Sequence, residues 1–321
     1  MLGRTLLALL LCVVTSASLW AVSFVAGPPR DDGPLLLAPA KVAHLGPLLP
    51  PVSQLHLDPV TPQAVQPRAV AAAPAQPDPL VSWADRTAPL LQIPVPALVG
   101  YGMADLTMQQ QEPGCRLSWI TLAALGRVGS ADVAPQAGVA QATSAARTLC
   151  KRGRDTSTPK GWMAAVRSVG SDESFVHRVF AAATTYAYSE NADRPLSPPI
   201  RTAIDFAIDQ IGLPYIWGGN GPGRGDAGFD CSGLTSAAYS ATGISLPRTA
   251  QSQYDATARV NSADLQPGDL VFYGAPGMIH HVGLYIGDGE MINAPTFGMP
   301  VQVASVRYAG DDYAGAGRPI R

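Results

Sequence analysis

From Thr5 to Pro29 the chain has no charged residue and is mostly apolar, with Arg4 before the run and Arg30, Asp31 and Asp32 after it. Such a run exceeds the apolar region of a secretory signal and is long enough to cross a bilayer as a helix. Residues 1–29 are therefore expected to be a membrane anchor, with a signal peptide as the alternative, and Arg4 lies on the cytoplasmic side. Periodicity then disappears. Sixteen of the thirty prolines fall between Gly27 and Pro96 with few charges among them, which predicts a semi-rigid Pro-rich tether over 30–82. Helical spacing governs residues 83–197. Leu117, Ile120, Leu125 and Val128 line one stripe, and the Ala-rich runs 139–150 and 158–187 follow without any strand-like alternation. Pro198 and Pro199 open a second unit, 198–321. Ile200, Ala203, Ile204, Ala207, Ile208 and Ile211 form a helical stripe that Gly212 ends. Further on, the run from His280 to Ile286 reads as a half-buried strand. The fold class expected is α+β, a mainly helical domain followed by a mixed one.

Charge narrows the partners. The net charge is −2, with 11 basic and 9 acidic groups over 83–198 and 7 and 11 over 199–321. No basic stripe stands ready for phosphates, so nucleic acid is excluded as a partner. Cysteine usage adds a compartment. Cys12 lies in the apolar run; Cys115 and Cys150 lie in the helical segment beyond it, outside the cytoplasm, where disulfides persist. They are expected to pair, and closing a loop of about 35 residues stabilises by about 3–4 kcal/mol. Cys231 is left as a free thiol.

That thiol carries the chemistry. Asp230 is a good N-cap, so Cys231 falls at the first helical position, where unpaired amides and the helix dipole favour thiolate. A nearby imidazole would complete a nucleophile and its base, as a thiolate–imidazolium pair near neutral pH. On the predicted strand His281 shares a face with Gly283 and Tyr285, whereas His280 shares the apolar face of Val282, Leu284 and Ile286. His281 is therefore the expected base, and Gly283 beside it would leave room for the cysteine helix. Asn293 is the candidate that orients the imidazole. It reaches the face of His281 if Gly287, Asp288 and Gly289 form a three-residue loop, and the opposite face if the turn has two residues. This set requires no metal and no organic cofactor.

Two resemblances extend the reading. Cys115-Arg116-Leu117-Ser118-Trp119, Leu122 through Val128, Leu149-Cys150 and Asp155 through Trp162 resemble lytic transglycosylases with a lysozyme-like fold. That family places a glutamate, its general acid, after the glycine-arginine-valine run; Gly129 stands there in this chain. Val169 and Gly170 replace the family's tyrosine-asparagine pair. The implied module, 83–197, is a degenerate transglycosylase-like domain that binds or positions glycan.

The second resemblance covers nearly all of 200–321. Pro214 through Gly219, Asp230-Cys231-Ser232-Gly233-Leu234, Leu246 through Gln251, Pro267 through Tyr273 and His281 through Gly287 resemble the NlpC family of papain-like cell-wall cysteine endopeptidases. The resemblance implies Cys231 as nucleophile, His281 as base and Asn293 as the third, polar member, where histidine is common. It also implies that Tyr215 helps stabilise the oxyanion. The expected protein is an exported or membrane-anchored hydrolase acting on peptidoglycan stem peptides, at the bond between D-glutamate and diaminopimelate. The alternatives are a non-catalytic scaffold of an envelope-spanning secretion or DNA-transfer apparatus, and a bifunctional transglycosylase/endopeptidase.

Overall fold

Proline starts helices in this chain as well as interrupting them. The computed structural model describes residues 78–129, 138–191 and 195–319, so the apolar run 5–29 and most of the tether lie outside the described residues. Helix α1 (Pro79–Leu91) has Pro79 in its first turn, where no N–H is needed, and the Asp78 carboxylate accepts from the Leu80 amide as its cap. Helix α2 (Val95–Gln111) follows with a proline again in its first turn. The helical part therefore opens inside the stretch expected to be tether. What the proline count concealed is an apolar face, with Leu80, Trp83, Ala84, Ala88 and Leu91 all buried.

Four more helices complete this part: α3 (Trp119–Val128), α4 (Val139–Cys150), α5 (Pro159–Arg167) and α6 (Glu173–Asn191). Helix α3 is buried all round from Trp119 to Gly126, not along one stripe as its spacing suggested. A helix apolar on every side belongs at the centre of a core, and here it packs between α2 and α6. Trp83, Trp119, Trp162, Tyr101 and Phe180 fill the space around it. Cys115 and Cys150 are joined in a disulfide across 35 residues, tying the approach to α3 to the end of α4. The Thr156 hydroxyl and amide both donate to the Cys115 carbonyl and hold the next turn against it.

The second part has helices α7 (Pro198–Gln210), α8 (Cys231–Ser240) and α9 (Ala250–Ala256). Its strands are β1 (Ala258–Val260), β2 (Leu270–Ala275), β3 (Met278–Gly287), β4 (Glu290–Asn293), β5 (Gln302–Ser305) and β6 (Tyr313–Arg318). They form one sheet in the order β1-β6-β2-β3-β4-β5, with every neighbouring pair antiparallel. Helices α8 and α9 pack on β3, and α7 packs on α8. The α+β class is thus the observed one, with the antiparallel sheet in the second part.

Helix α6 joins the two parts by packing on β3, β5 and α7. The His177 ring nitrogen accepts from the Val303 amide at 3.3 Å, and burial lowers the pKa of that imidazole. Arg178 donates to the Ile211 carbonyl at 3.1 Å. Arg127, at the end of α3, pairs with Asp205 at 3.3 Å and Asp209 at 3.1 Å on α7. The helix that carries the thiol is therefore braced through α7 by the helical part.

Candidate active site

Cys231 opens α8, as its position after an aspartate predicts. The Asp230 carboxylate caps the helix by accepting from the Gly233 amide at 2.6 Å. Capping fixes the first turn and leaves the thiol against amides that have no helical partner. The thiol is free and buried. It rests on β3, donating to the His280 carbonyl at 3.9 Å, while the Val282 and Ser232 amides favour its ionised form. Burial outweighs those amides, and with the charge of Asp230 it raises the thiol above its ordinary pKa.

Cys231 thus sits on the main chain that flanks His281 on either side. His281 itself is pushed down to about 4, chiefly by burial and then by neighbouring His280. Desolvation thus acts against the charged form of each partner, raising the thiol and lowering the imidazole, while the start of α8 acts in favour of the thiolate. His280 is exposed and its ring pairs with Asp312 at 2.7 Å, so it is turned away from the thiol's chemistry.

Asn293 reaches the imidazole by a route different from the expected one. The β3–β4 connection is a two-residue turn, Asp288-Gly289, with φ of 53° and 78° and with Gly287 opposite Glu290. Two consecutive positive φ values are those of a type I′ hairpin, which on its own would place Asn293 on the wrong face. The register then shifts between Tyr285 and Gly287, and beyond the shift Leu284 faces Ile292. One further step along that register sets Asn293 opposite Gly283, on the face of His281. The extra residue, Ile286, makes a β-bulge that restores the face the turn would have lost. Asn293 is buried, its side chain favours the charged form of His281, and its Oδ1 accepts no hydrogen bond from the described residues. Gly283 has a different use from the expected one. A side chain there would collide with Met291, so the glycine makes room for the core under the imidazole and not for α8.

Tyr215 lies where its hydroxyl and the thiol sense each other. Its pKa is pushed up to about 12 by burial, then by the charges of Cys231 and Asp230, so it remains a protonated donor. One site residue had no assigned role in the sequence reading. Arg248 grips Asp230 with two bonds, at 2.9 and 2.7 Å, and also donates to the Ser232 hydroxyl at 3.1 Å. Such a two-pronged pair fixes the cap of α8 in direction as well as distance. Buried Gln253 adds a second tie, donating to the Ser232 carbonyl and accepting from Thr235. Only the place of Arg248 in the Leu246–Gln251 motif hinted at it. Among the described residues, no group of three or more His, Cys, Asp or Glu stands close enough to hold a metal ion.

The helical part offers no equivalent constellation where its resemblance would put one. Gly129 caps α3 in the left-handed region at φ 89°. Neither Glu112, exposed at the end of α2, nor Glu173, paired with Arg167 at 2.9 Å, takes the place of an acid there.

Comparison with known proteins agrees with this architecture. Residues 212–318 match the NlpC/P60 family. Peptidoglycan endopeptidase RipA of Mycobacterium tuberculosis is 44% identical over 123 residues, which cover 34% of this chain and 26% of RipA. The bifunctional muramidase/DL-endopeptidase CwlT of Bacillus subtilis is 35% identical over 168 residues, 49% of this chain and 46% of CwlT. The chain therefore spans less than half the length of these curated relatives. The crystal structure of the P60 domain from the M. avium subspecies paratuberculosis antigen MAP1204 is 34% identical, covering 38% of this chain and 96% of that one with a TM-score of 0.33. The thiol on a capped helix against an antiparallel sheet lies within the family match, and residues 212–318 form an NlpC/P60 domain.

Proposed function

We propose that residues 198–321 hydrolyse an amide bond of peptidoglycan stem peptides through a thioester on Cys231. The observation that carries this reading is a free thiol at a capped helix start, resting on the backbone at either side of His281. In the reaction, His281 takes the proton from Sγ as the sulfur bonds to the scissile carbonyl carbon. The carbonyl oxygen gains negative charge, and the Tyr215 hydroxyl and the amides at the start of α8 donate to it. The C–N bond then breaks, and the proton on His281 passes to the leaving amine. Water, deprotonated by the same imidazole, attacks the thioester and releases the carboxylate product and the thiol. Asn293 holds the ring in register throughout.

The bond between D-glutamate and diaminopimelate is the proposed target, in keeping with relatives described as a peptidoglycan endopeptidase and a DL-endopeptidase. We place the protein outside the cytoplasm, held by its N-terminal segment or released to the wall; the disulfide of the helical part supports an oxidising compartment. The helical part would hold or position glycan nearby. Purified wall digested with wild type and with Cys231→Ala tests the reading by mass spectrometry of the released muropeptides. New amino termini on diaminopimelate with wild type alone are expected. No new termini with either protein would leave a scaffold in its place, and anhydro-sugar ends from the alanine variant would return glycan cleavage to the helical part.

A further inference from the structure

Two large aromatic side chains beside the site are left in solvent. Trp217 is 73% exposed and Phe297 is 68% exposed. Burying a side chain of that size stabilises by about 2 kcal/mol, which both residues forgo. Their rings lie nearly parallel, 15° apart with centroids 6.4 Å from each other, and Phe297 also meets the edge of Tyr215 at 5.2 Å. The pair is held firmly. The Gly218 amide next to Trp217 donates to Asp230, the cap of the thiol's helix. The segment after Phe297 is laced to residues 212–215, with Tyr215 donating to the Met299 carbonyl, Gly212 to Val301 and Val301 to Leu213. Phe297 also follows Asn293 by one short stretch of the same chain. Two flat, uncharged faces thus continue from Tyr215 along one wall of the site.

We propose that Trp217 and Phe297 form a sugar-stacking subsite, which takes a pyranose ring of the glycan to which the scissile stem peptide is attached. The proposal rests on the stem-peptide hydrolase reading and specifies more of its substrate. Charge favours this occupant: Asp230, which holds the Gly218 amide beside Trp217, and Arg248 are spent on each other, so the platform suits an uncharged partner. Area favours it too. The stem peptide offers little more than methyl groups, whereas the C–H face of a pyranose covers an aromatic ring, whose negative face attracts polarised C–H bonds. Reach is consistent as well. Two or three residues of extended chain span about 10 Å, and the rings stand one and two ring contacts from Tyr215.

The test compares a stem peptide bearing its disaccharide with the same peptide without it. In wild type the sugar-bearing substrate should show kcat/KM about tenfold higher, or more, a difference of about 1.4 kcal/mol. In Trp217→Ala and Phe297→Leu the ratio should fall toward one. A ratio near one in wild type, or a ratio that survives both substitutions, overturns the subsite. The same pair of ligands titrated into Cys231→Ala by calorimetry reads the platform without any bond being cut. Sugar-dependent affinity with no hydrolysis by wild type would sink the hydrolase reading and keep the subsite, whereas hydrolysis with no sugar dependence would do the reverse. Thermal melts of the variants control for folding.

Discussion

Cys231 and Gly129 stand at the ends of two helices, one in each half of the described chain, and their backbones differ in what they allow. At Cys231 the chain enters α8 from an extended, aspartate-capped residue. A side chain at the first helical position there meets free amides and is ringed by Tyr215, Arg248 and the His281 strand. At Gly129 the chain leaves α3 in the left-handed region. Carbonyls face that end of a helix, and any side chain other than glycine costs about 1–2 kcal/mol there. The resemblance marks position 129 for an acid, and the backbone there disfavours any side chain but glycine. Its neighbour Arg127 has a structural task instead, bridging to Asp205 and Asp209 of the other half. The contrast teaches that chemistry at a helix end depends on the backbone that presents it.

Substitutions at the two ends should separate the halves most sharply at His281. His281→Gln keeps a neutral, polar side chain of similar size but cannot carry a proton, so stem-peptide cleavage should fall by roughly a thousandfold or more with the melt little changed. In wild type the acid limb of kcat/KM should follow the depressed imidazole. Activity should persist well below pH 6 and be halved near pH 4, where His281 titrates. An acid limb at the ordinary histidine value would show that the ring is more open to water than its packing implies. Arg248→Lys should have a smaller effect, roughly tenfold on kcat. Lysine keeps the charge but cannot grip both oxygens of Asp230, so the loss should appear in kcat and not in the melt. A KM effect alone would move Arg248 from positioning the helix to holding substrate.

Much of this site was legible in sequence because its signals are local. An aspartate before a cysteine marks a helix start, and strand parity separates His281 from His280 whatever the rest of the fold does. The route of Asn293 to the imidazole was not legible. Asp288-Gly289 announces its own two-residue turn, but nothing in the residue types reports the bulge at Ile286 that corrects the register. Gly283 was misread for a similar reason, since the Met291 side chain that fills its space comes from another strand. Arg248 needed the fold to bring it to Asp230, 18 residues away in sequence. The prolines of α1 and α2 looked like tether because their role depends on the core behind Trp83. In each case the missing information was a contact between segments.

Gly129→Glu restores the residue type of the resembling family and tests the other end of the comparison. A Cβ at this position meets nothing within 4 Å, so the cost is backbone strain alone, about 1–2 kcal/mol. The variant should melt a few degrees lower and release no reducing or anhydro-sugar ends from purified glycan. Glycan cleavage by this single change would mean that the helical half retains the rest of a working site.

The smallest expected effect is a difference in pH response. The two carboxyl oxygens of Glu190, at the end of α6, are buried and have no hydrogen-bond partner. Burial, with a lesser contribution from the charge of Asp105, raises this carboxyl to about 7. Because the folded value lies above the ordinary one, its stabilising share is complete at low pH and is lost as pH rises through 7. His281 works in the opposite sense. Its value falls below the ordinary one, so its share is lost as pH drops from about 6.5 to 4. At pH 6.5 the unfolded imidazole is still half charged, so the shares of His281 and His177 rise a little further toward pH 8 and partly oppose the loss from the raised carboxyls; Glu290, also near 7, is the second of these. Over that interval wild type should lose stability, the Glu190 share being under about 1 kcal/mol. Glu190→Gln should flatten the decline without abolishing it, because Glu290 remains. Melting curves of the two proteins at pH 6.5 and 8 decide the point. Equal slopes would mean that water reaches the Glu190 carboxyl.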